Sequence, residues 1–207
     1  MNQRGKFIVL EGIDGAGTTT QSAMLARNLK DLGYKVVTTQ EPTLGPVGLL
    51  LRAILRGRVV GKGQPFDQKA VALLFAADRL DHIASEITPF LDDGFFVVSD
   101  RYVLSSLAYQ SLYAELGWVK EVNRFAINPD LTIFLDVPVE VALKRIASSR
   151  PDKDIYEDKE TLTRVYEAYR NALSSYPYGE WVTVDGTKPV EEVALAVLQQ
   201  VKEKVIS

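Results

Sequence analysis

A glycine-rich run near the start of the chain has the residue types that bind phosphate. It is Gly12-Ile13-Asp14-Gly15-Ala16-Gly17-Thr18-Thr19-Thr20. An apolar run precedes it and a helical pattern over residues 21–32 follows it. Between a strand and a helix, glycines let successive backbone N–H groups converge on a phosphate, and the helix N-terminus adds its dipole. The run therefore predicts a phosphate-binding loop, or P-loop, at residues 12–19, and a strand-to-helix turn without a ligand is the alternative.

Two positions of this loop bear on catalysis. The hydroxyl of Thr19 lies where a P-loop supplies a magnesium ligand. Position 18, where the pattern has a lysine that bridges the transferred phosphates, is a threonine. Because charge stabilisation is the main catalytic device in phosphoryl transfer, another cation must reach those oxygens or the reaction slows. The candidates are Arg101, Lys144, Arg145, Arg150 and Lys153.

A second polar group, Ser99-Asp100-Arg101-Tyr102, follows the third predicted strand. Open parallel sheets bind ligands at the carboxyl ends of their strands. There an aspartate can hold a magnesium-bound water, and an arginine can clamp an acceptor phosphate with two hydrogen bonds. A structural salt bridge is the alternative, and the P-loop upstream favours the functional interpretation.

The segment 66–91 has a helical pattern with two distinct sides. An apolar stripe at alternating spacings of three and four residues predicts the face that packs on the core. Phe75 and Arg79 lie off that stripe and four residues apart, so they share one side of the helix and predict a floor for a planar base. The alternative is that Phe75 packs against another helix and Arg79 is solvated. His82 is predicted to be exposed and without a catalytic partner. The stripe consists of Ala70, Leu73, Ala77, Leu80, Ala84 and Ile87.

These candidate residues need a sheet to bring them together. Five short β-branched or aromatic runs are separated by longer amphipathic stretches, which predicts an α/β fold with a parallel sheet and helices on both faces. Gly33 is expected to end the first helix. The runs are residues 7–10, 34–37, 95–98, 131–135 and 181–184.

Length and composition limit the class of protein. The chain has 207 residues, 46% hydrophobic and 25% charged, so we expect a single domain over residues 1–207. A formal net charge of -3 predicts no attraction to nucleic acid or to an anionic membrane. With no cysteine and one histidine, disulfides, thiolate metal sites and multi-histidine sites are excluded. No apolar segment of signal or membrane length follows the N-terminus, so we expect a cytoplasmic location.

Further short segments, taken with the P-loop, resemble the thymidylate kinases in order and spacing. They are Glu41-Pro42, residues 73–79, Asp100-Arg101-Tyr102, residues 105–110 and Asp136-Val137-Pro138. The P-loop alone would indicate only the NTPase superfamily, whereas this combination is much narrower. The resemblance runs from Lys6 to the last predicted helix. It implies a single-domain P-loop kinase fold with a five-stranded parallel sheet, flanking helices and a mobile lid.

The resemblance also implies residues that bind the acceptor nucleotide. Asp14 would meet its 3′-hydroxyl, and Arg101 would clamp its phosphate. Phe75 resembles the ring stacked on thymine, and Arg79 resembles the donor to the thymine carbonyl. Tyr109 resembles the residue beneath the deoxyribose that disfavours a 2′-hydroxyl. The same pocket would include Ser106, Gln110, Glu41 and Pro42.

On the donor side the resemblance implies a lid and a metal. ATP would contact residues 12–20 and Arg145. Family members that keep glycine inside the P-loop, as at Gly15, deliver an arginine from the lid. Arg150, and also Arg145, would take that task in a lid at residues 145–157, where Tyr156 would approach the nucleoside. Magnesium would be held, directly or through water, by Thr19, Asp14 and Asp100.

As a whole, the resemblance implies an ATP- and magnesium-dependent kinase that phosphorylates dTMP to dTDP on the route to dTTP. Asp14, Arg101 and Arg150 would be its catalytic residues. The family is typically homodimeric. Two alternatives stay open: a kinase for another monophosphate or a deoxynucleoside, and a nucleotide-binding protein whose catalysis is impaired by Thr18.

Overall fold

The computed structural model describes residues 4–149 and 158–206. In these ranges five parallel strands form one sheet in the order β2-β3-β1-β4-β5, which confirms the predicted α/β fold. The second strand begins two residues later than predicted, because the N–H of Tyr34 still bonds to Leu29 of the preceding helix. The strands are β1 (Phe7–Glu11), β2 (Val36–Gln40), β3 (Phe96–Asp100), β4 (Leu131–Asp136) and β5 (Trp181–Asp185).

The sheet order brings the predicted motifs to one edge. All residues of β1 and β3 are buried, as expected for parallel strands that are covered on both faces. Asp100 at the end of β3 pairs in register with Leu10 of β1 and with Gln40 of β2. The carboxyl ends of these three strands therefore place the P-loop, Arg101 and Glu41 side by side.

Helices connect the strands, and α1 packs against α9, α2 against α3, and α5 against α8. Gly33 follows α1 with φ 90°, as its predicted role at the helix end requires. No helix in the described ranges is long and apolar enough to cross a lipid bilayer. The helices are α1 (Thr18–Asp31), α2 (Pro46–Leu55), α3 (Gln68–His82), α4 (Thr88–Asp92), α5 (Val103–Tyr109), α6 (Leu116–Val122), α7 (Val139–Ser149), α8 (Lys159–Leu173) and α9 (Val190–Val201).

The predicted core-facing stripe of the third helix is wrong at four of its six positions, whereas Ile87, beyond the end of α3, is buried in the core as predicted. Leu73 and Leu80 are 51% and 42% exposed, and Ala77 and Ala84 are exposed as well. The other side of the helix is buried although it carries charges, because those charges bond to groups inside the protein. The buried residues of α3 are Val71, Ala72, Ala76, Asp78, Arg79 and His82.

Candidate active site

A cavity of about 610 Å³ lies at the carboxyl ends of β1, β2 and β3, and its volume is typical of small-molecule sites. It brings together the donor and acceptor residues predicted from the sequence. The predicted site residues in its wall are Asp14, Gly15, Ala16, Gly17, Thr18, Thr19, Thr20, Glu41, Pro42, Phe75, Arg79, Asp100, Arg101, Ser106, Tyr109, Gln110 and Arg145.

The P-loop presents backbone groups to this cavity. Gly17 is the N-cap of α1 with φ 98°, a left-handed conformation that glycine adopts without strain. Gly17 has no side chain to cap the helix, so N–H groups of its first turn stay available to an anion. Gly15, with φ 82°, lies against α7, and a Cβ there would come within 2.5 Å of the carbonyl oxygen of Ala142. The loop has the geometry of a phosphate cradle, with space only for glycine at position 15.

Two predicted loop contacts lie behind the cradle. The Ile13 side chain is 1% exposed and belongs to the core, while its carbonyl accepts a hydrogen bond from the N–H of Ala16 at 3.0 Å. A Cβ on Gly12 would lie 2.8 Å from the Cβ of Ala16. The described cavity wall includes neither Gly12 nor Ile13, so their contact with a nucleotide stays a prediction.

Because position 18 is threonine, the positive charge that a P-loop lysine supplies must come from other residues. The Thr18 side chain is buried in the loop. Arg145 lies against the loop, because its guanidinium donates to the carbonyl of Ala16 at 3.3 Å and to that of Gly186 at 2.9 Å. Lys188 also lines the cavity. Hydrogen bonds thus hold the positive charge of Arg145 next to the P-loop, where the lysine is missing.

Thr19 and Asp100 form an oxygen-rich pair at the start of α1. The Thr19 hydroxyl donates to Oδ2 of Asp100 at 2.5 Å. Oδ1 of Asp100 is buried, and no described residue bonds to it. The carboxylate of Asp14 lines the same cavity. Magnesium prefers oxygen ligands and keeps several waters, so this set of oxygens fits the predicted metal.

Arg101 is held by both its backbone and its side chain. Its φ of 72° lies in the left-handed region that arginine rarely adopts. The guanidinium contacts Oδ1 of Asp14 at 2.6 Å and donates to the carbonyl of Gly12 at 2.8 Å. Burial opposes its charge, but the Tyr109 hydroxyl and the Asp14 carboxylate raise the pKa of Arg101 well above its usual value. A fixed positive charge therefore lies beside the P-loop.

Residues of α3 line the part of the cavity that was predicted to hold the base. Phe75 is half-buried in the wall. Arg79 is only 1% exposed, and its guanidinium bonds to Oε2 of Glu41 at 2.6 Å, to Oγ of Ser106 at 3.1 Å and to Oδ1 of Asn123. The resulting network fixes the arginine relative to the end of β2 and to α5.

Residues at the end of α5 complete this wall. The hydroxyl of Tyr109 accepts a hydrogen bond from the N–H of Asp14 at 3.2 Å, and the Arg101 guanidinium lies 5.4 Å from the Tyr109 ring centroid. Gln110 is 4% exposed, and its Oε1 has no partner among the described residues. A ligand N–H is the natural partner for such a buried acceptor.

A family model described as thymidylate kinase matches residues 10–197, which include the P-loop and every cavity residue described above. The chain belongs to the thymidylate kinase family. It is therefore a nucleoside-monophosphate kinase, a phosphotransferase of nucleotide biosynthesis, and the resemblance predicted from the sequence is confirmed.

Relatives of the thymidylate kinase family match nearly the whole chain. The probable thymidylate kinase of Pyrococcus horikoshii is 40% identical over 204 residues, which are 98% of each chain. The probable thymidylate kinase of Thermococcus kodakarensis is 42% identical over 90% of this chain and 92% of its own. The thymidylate kinase of Thermomicrobium roseum is 40% identical over 95% and 94%, respectively.

Two buried polar residues of α3 in this thymidylate kinase family member were missed by the sequence analysis. His82, predicted to be exposed, is 2% exposed, with Nδ1 3.1 Å from Glu41 and Nε2 2.7 Å from Thr39. Asp78 accepts hydrogen bonds from the N–H and hydroxyl of Thr43 at 2.8 and 2.6 Å. Their spacing of three and seven residues from Phe75 places them on its side of the helix, which was the available signal. The wall residues that the sequence analysis did not predict are Gln21, Gln40, Arg52, Leu55, Arg56, Ile146, Lys188, Val190 and Val193.

The predicted lid falls mostly outside the described part of the chain. Residues 145–149 are the last turn of α7. Arg150, Lys153 and Tyr156 lie outside the described residues. Their roles, like the lid itself, stay predictions.

Proposed function

We propose that the protein transfers the γ-phosphoryl group of ATP to dTMP and releases dTDP and ADP. The observation that carries this proposal is one cavity that joins the P-loop to Phe75, Arg79 and Gln110. Phosphoryl transfer requires the donor and acceptor phosphates in one enclosed space, where positioning replaces random encounter. Relatives named thymidylate kinase at 40% identity support dTMP as the acceptor.

The acceptor base would be recognised by one ring and two polar groups. Phe75 offers a face for stacking. Arg79 can donate to the O4 carbonyl of thymine, and the unpartnered oxygen of Gln110 can accept its N3–H. Cytosine has an amine in place of O4 and no N3–H. The donor of Arg79 would therefore face another donor, and the acceptor of Gln110 would face another acceptor. A mispaired buried polar group is costly, and the pocket should therefore discriminate strongly against dCMP.

Charge neutralisation and positioning would be the work of the protein. The dTMP phosphate is ionised near neutral pH and attacks without a general base. The Arg101 guanidinium, which already contacts Gly12 and Asp14, would clamp that phosphate next to the loop. Asp14 would then be released to meet the 3′-hydroxyl of dTMP. Tyr109, which contacts Asp14, would lie beneath the deoxyribose and disfavour a 2′-hydroxyl.

The donor would bind at the N-terminus of α1. N–H groups of the loop would bind the β-phosphate of ATP. Thr19, Asp100 and Asp14 would hold magnesium, directly or through water, and the bound ion would neutralise phosphate charge. Arg145, together with Arg150 of the predicted lid, would supply the cation that Thr18 does not.

We also propose that the protein is a homodimer that associates through an apolar face of α2 and α3. Monomeric proteins rarely expose large contiguous apolar patches, and such patches mark interaction sites. Such a face explains why the apolar stripe of α3 does not point to the core. Its exposed residues are Leu49 and Leu50 of α2, Leu73, Ala77 and Leu80 of α3, and Ala84 just beyond the end of α3. The cytoplasmic location stays a prediction.

An acceptor panel tests the proposed reaction. ADP release would be measured with ATP, magnesium and, in turn, dTMP, dUMP, dCMP, dGMP, AMP and thymidine. We expect a strong preference for dTMP. Turnover that is fastest with thymidine or AMP would contradict the proposal.

A Thr18→Lys variant, run beside the parent protein, tests the loop. Activity in the parent protein would show that position 18 tolerates threonine. A silent parent with an active variant would indicate impaired catalysis at this position. Silence in both, with ATP still bound, would favour a nucleotide-binding protein and would overturn the proposed reaction.

A further inference from the structure

The last residue of β1 is a buried glutamate that the proposed reaction does not use. Glu11 is 0% exposed and directly precedes the P-loop. The described cavity wall includes neither Glu11 nor Tyr169, a fully buried tyrosine of α8 that bonds to it. A buried carboxylate is costly unless it is well hydrogen-bonded, so its partners indicate what it does.

One carboxylate oxygen of Glu11 caps α5. Tyr102, at the N-cap position, provides no side-chain hydrogen bond to this helix. Instead, Oε1 of Glu11 accepts the N–H of Tyr102 at 2.8 Å and the N–H of Ser105 at 3.2 Å. A carboxylate is well suited to such N–H groups, because they carry the positive end of the helix dipole. Glu11 thus fixes the helix that carries the proposed acceptor residues Ser106 and Tyr109.

The other oxygen of Glu11 orients two hydroxyls. Oε2 accepts the Ser105 hydroxyl at 2.6 Å and the Tyr169 hydroxyl at 3.1 Å. The two hydroxyl oxygens are themselves 2.8 Å apart. Each hydroxyl has one hydrogen. Whether Tyr169 donates to Glu11 or to Ser105, its hydrogen points away from Arg101.

The oriented hydroxyls present their lone pairs to Arg101. Nη1 of Arg101 donates to Oγ of Ser105 and to the hydroxyl of Tyr169, each at 3.2 Å. These contacts add to the contacts that the Arg101 guanidinium makes with Gly12 and Asp14. The left-handed backbone of Arg101 is fixed by other contacts: its N–H donates to the carbonyl of Leu10 at 2.9 Å, and its carbonyl accepts the Ser99 hydroxyl at 2.8 Å.

We propose that Glu11 and Tyr169 are positioning residues that hold Arg101 and α5 in the geometry that binds the acceptor phosphate. This inference rests on the proposed function, in which Arg101 clamps that phosphate. The two residues act through Arg101 and touch no substrate. They connect β1 and α8 to the turn after β3 that carries Arg101.

Tyr169→Phe tests the role of the hydroxyl with little change in volume. We expect kcat/KM for dTMP to fall about tenfold, because a hydrogen bond to a charged group is lost. KM for ATP should stay within about twofold, since the P-loop is not touched. The matched control is Tyr178→Phe, which removes a part-buried hydroxyl that donates to the backbone carbonyl of Lys120 and should change both constants by less than about twofold.

Glu11→Gln tests the orientation of the hydroxyls. Glutamine keeps an oxygen for the two N–H groups but turns an NH₂ donor toward Ser105 and Tyr169, which reverses their hydrogens. At pH 8, where Glu11 is ionised, we expect a loss in kcat/KM for dTMP at least as large as for Tyr169→Phe. Combined with Tyr169→Phe, the losses should be less than additive, because both changes break one network.

Calorimetric binding of dTMP separates the failure of this inference from that of the proposed function. A parent protein that neither binds nor phosphorylates dTMP would refute the function itself. If the parent is active, unchanged dTMP constants in folded Tyr169→Phe would overturn the inference. Equal losses for ATP and dTMP would also overturn it, because they would indicate a general structural role. Weaker dTMP binding with unchanged ATP binding would support it.

Discussion

At the scale of single residues, Arg101 combines an unusual backbone conformation with several side-chain contacts. Its backbone is left-handed and its guanidinium bonds to Asp14 and Gly12. We expect Arg101→Ala to lower kcat by at least about a thousandfold in the ADP-release assay, because no other group would neutralise the acceptor phosphate at that place. Arg101→Gly suits the positive φ better and should be equally inactive. The control, Arg124→Ala, removes an exposed arginine and should retain activity, whereas an active Arg101→Ala would contradict the role.

Glu11 gives the protein a stability that depends on pH. Burial raises the pKa of Glu11 to about 7, although hydrogen bonds from Ser105 and the charge of Arg101 act in the opposite direction. The folded protein therefore holds a proton that the unfolded chain releases between its usual pKa of 4.5 and about 7. Across that window the contribution of Glu11 to stability falls as pH rises, and above it the loss is complete.

Urea unfolding of Glu11→Gln measures this contribution. Relative to the parent protein, the variant should gain on the order of 3 kcal/mol in unfolding free energy between pH 4.5 and pH 8, at about 1.4 kcal/mol per pKa unit. Glu167→Gln, at an exposed position of α8, should show the same difference at both pH values. A constant difference for Glu11→Gln would refute the prediction. A variant that is more stable at pH 8 and less active would show that the buried charge serves function.

At the scale of secondary-structure elements, Gly15 sets the approach of α7 to the P-loop. A Cβ there would lie 2.5 Å from the Ala142 carbonyl, whereas a Cβ on Gly33, with a similar φ of 90°, would meet nothing within 4 Å. Gly33→Ala should therefore lower the free energy of unfolding by only about 1 kcal/mol, the cost of placing alanine at a positive φ. Gly15→Ala should lower the free energy of unfolding, measured in urea, by about 2 kcal/mol more, because the backbone of the loop or of α7 must shift. Equal losses would mean that α7 moves away freely.

The turn after β2 depends on α3. Asp78 accepts the N–H and hydroxyl of Thr43, next to the cis peptide between Glu41 and Pro42. We expect Asp78→Asn to raise KM for dTMP about tenfold and to leave KM for ATP nearly unchanged, because one strong acceptor of this turn is lost. The matched control is Asp81→Asn, at an exposed position of the same helix. A rise in KM for ATP alone would contradict this prediction, because it would indicate that the turn serves the ATP site and not the dTMP site.

At the scale of the whole molecule, the exposed face of α3 predicts assembly. A homodimer would have a mass of about 46 kDa, twice the 23.0 kDa of one chain. Leu73→Glu should convert it to a monomer in light scattering after size exclusion, because a charge would replace a leucine at the interface. Leu195→Glu, at a 65% exposed leucine of α9, should leave the dimer intact. A parent protein that is monomeric at high concentration would refute the proposal.

Much of the fold could be predicted from the sequence because the relevant signals are local. Strand β1 begins with a continuous apolar run, residues 7–10, and Gly33 ends α1 through its own backbone freedom. The order of strand, glycine-rich loop and helix predicts a P-loop from local sequence alone. The family resemblance also rests on short sequence motifs, and the match to the thymidylate kinase family model confirms it.

The tertiary structure decided which side of α3 is buried and which groups meet Arg101. Periodicity gives the spacing of an apolar stripe but not the surface that covers it, and here the charged side is inside. Arg79 and His82 are buried because Glu41, about 40 positions earlier in the chain, lies beside them. Glu11 meets Tyr169 across 158 positions. Such pairings depend on how the sheet and helices pack, so no local pattern of residues contains them.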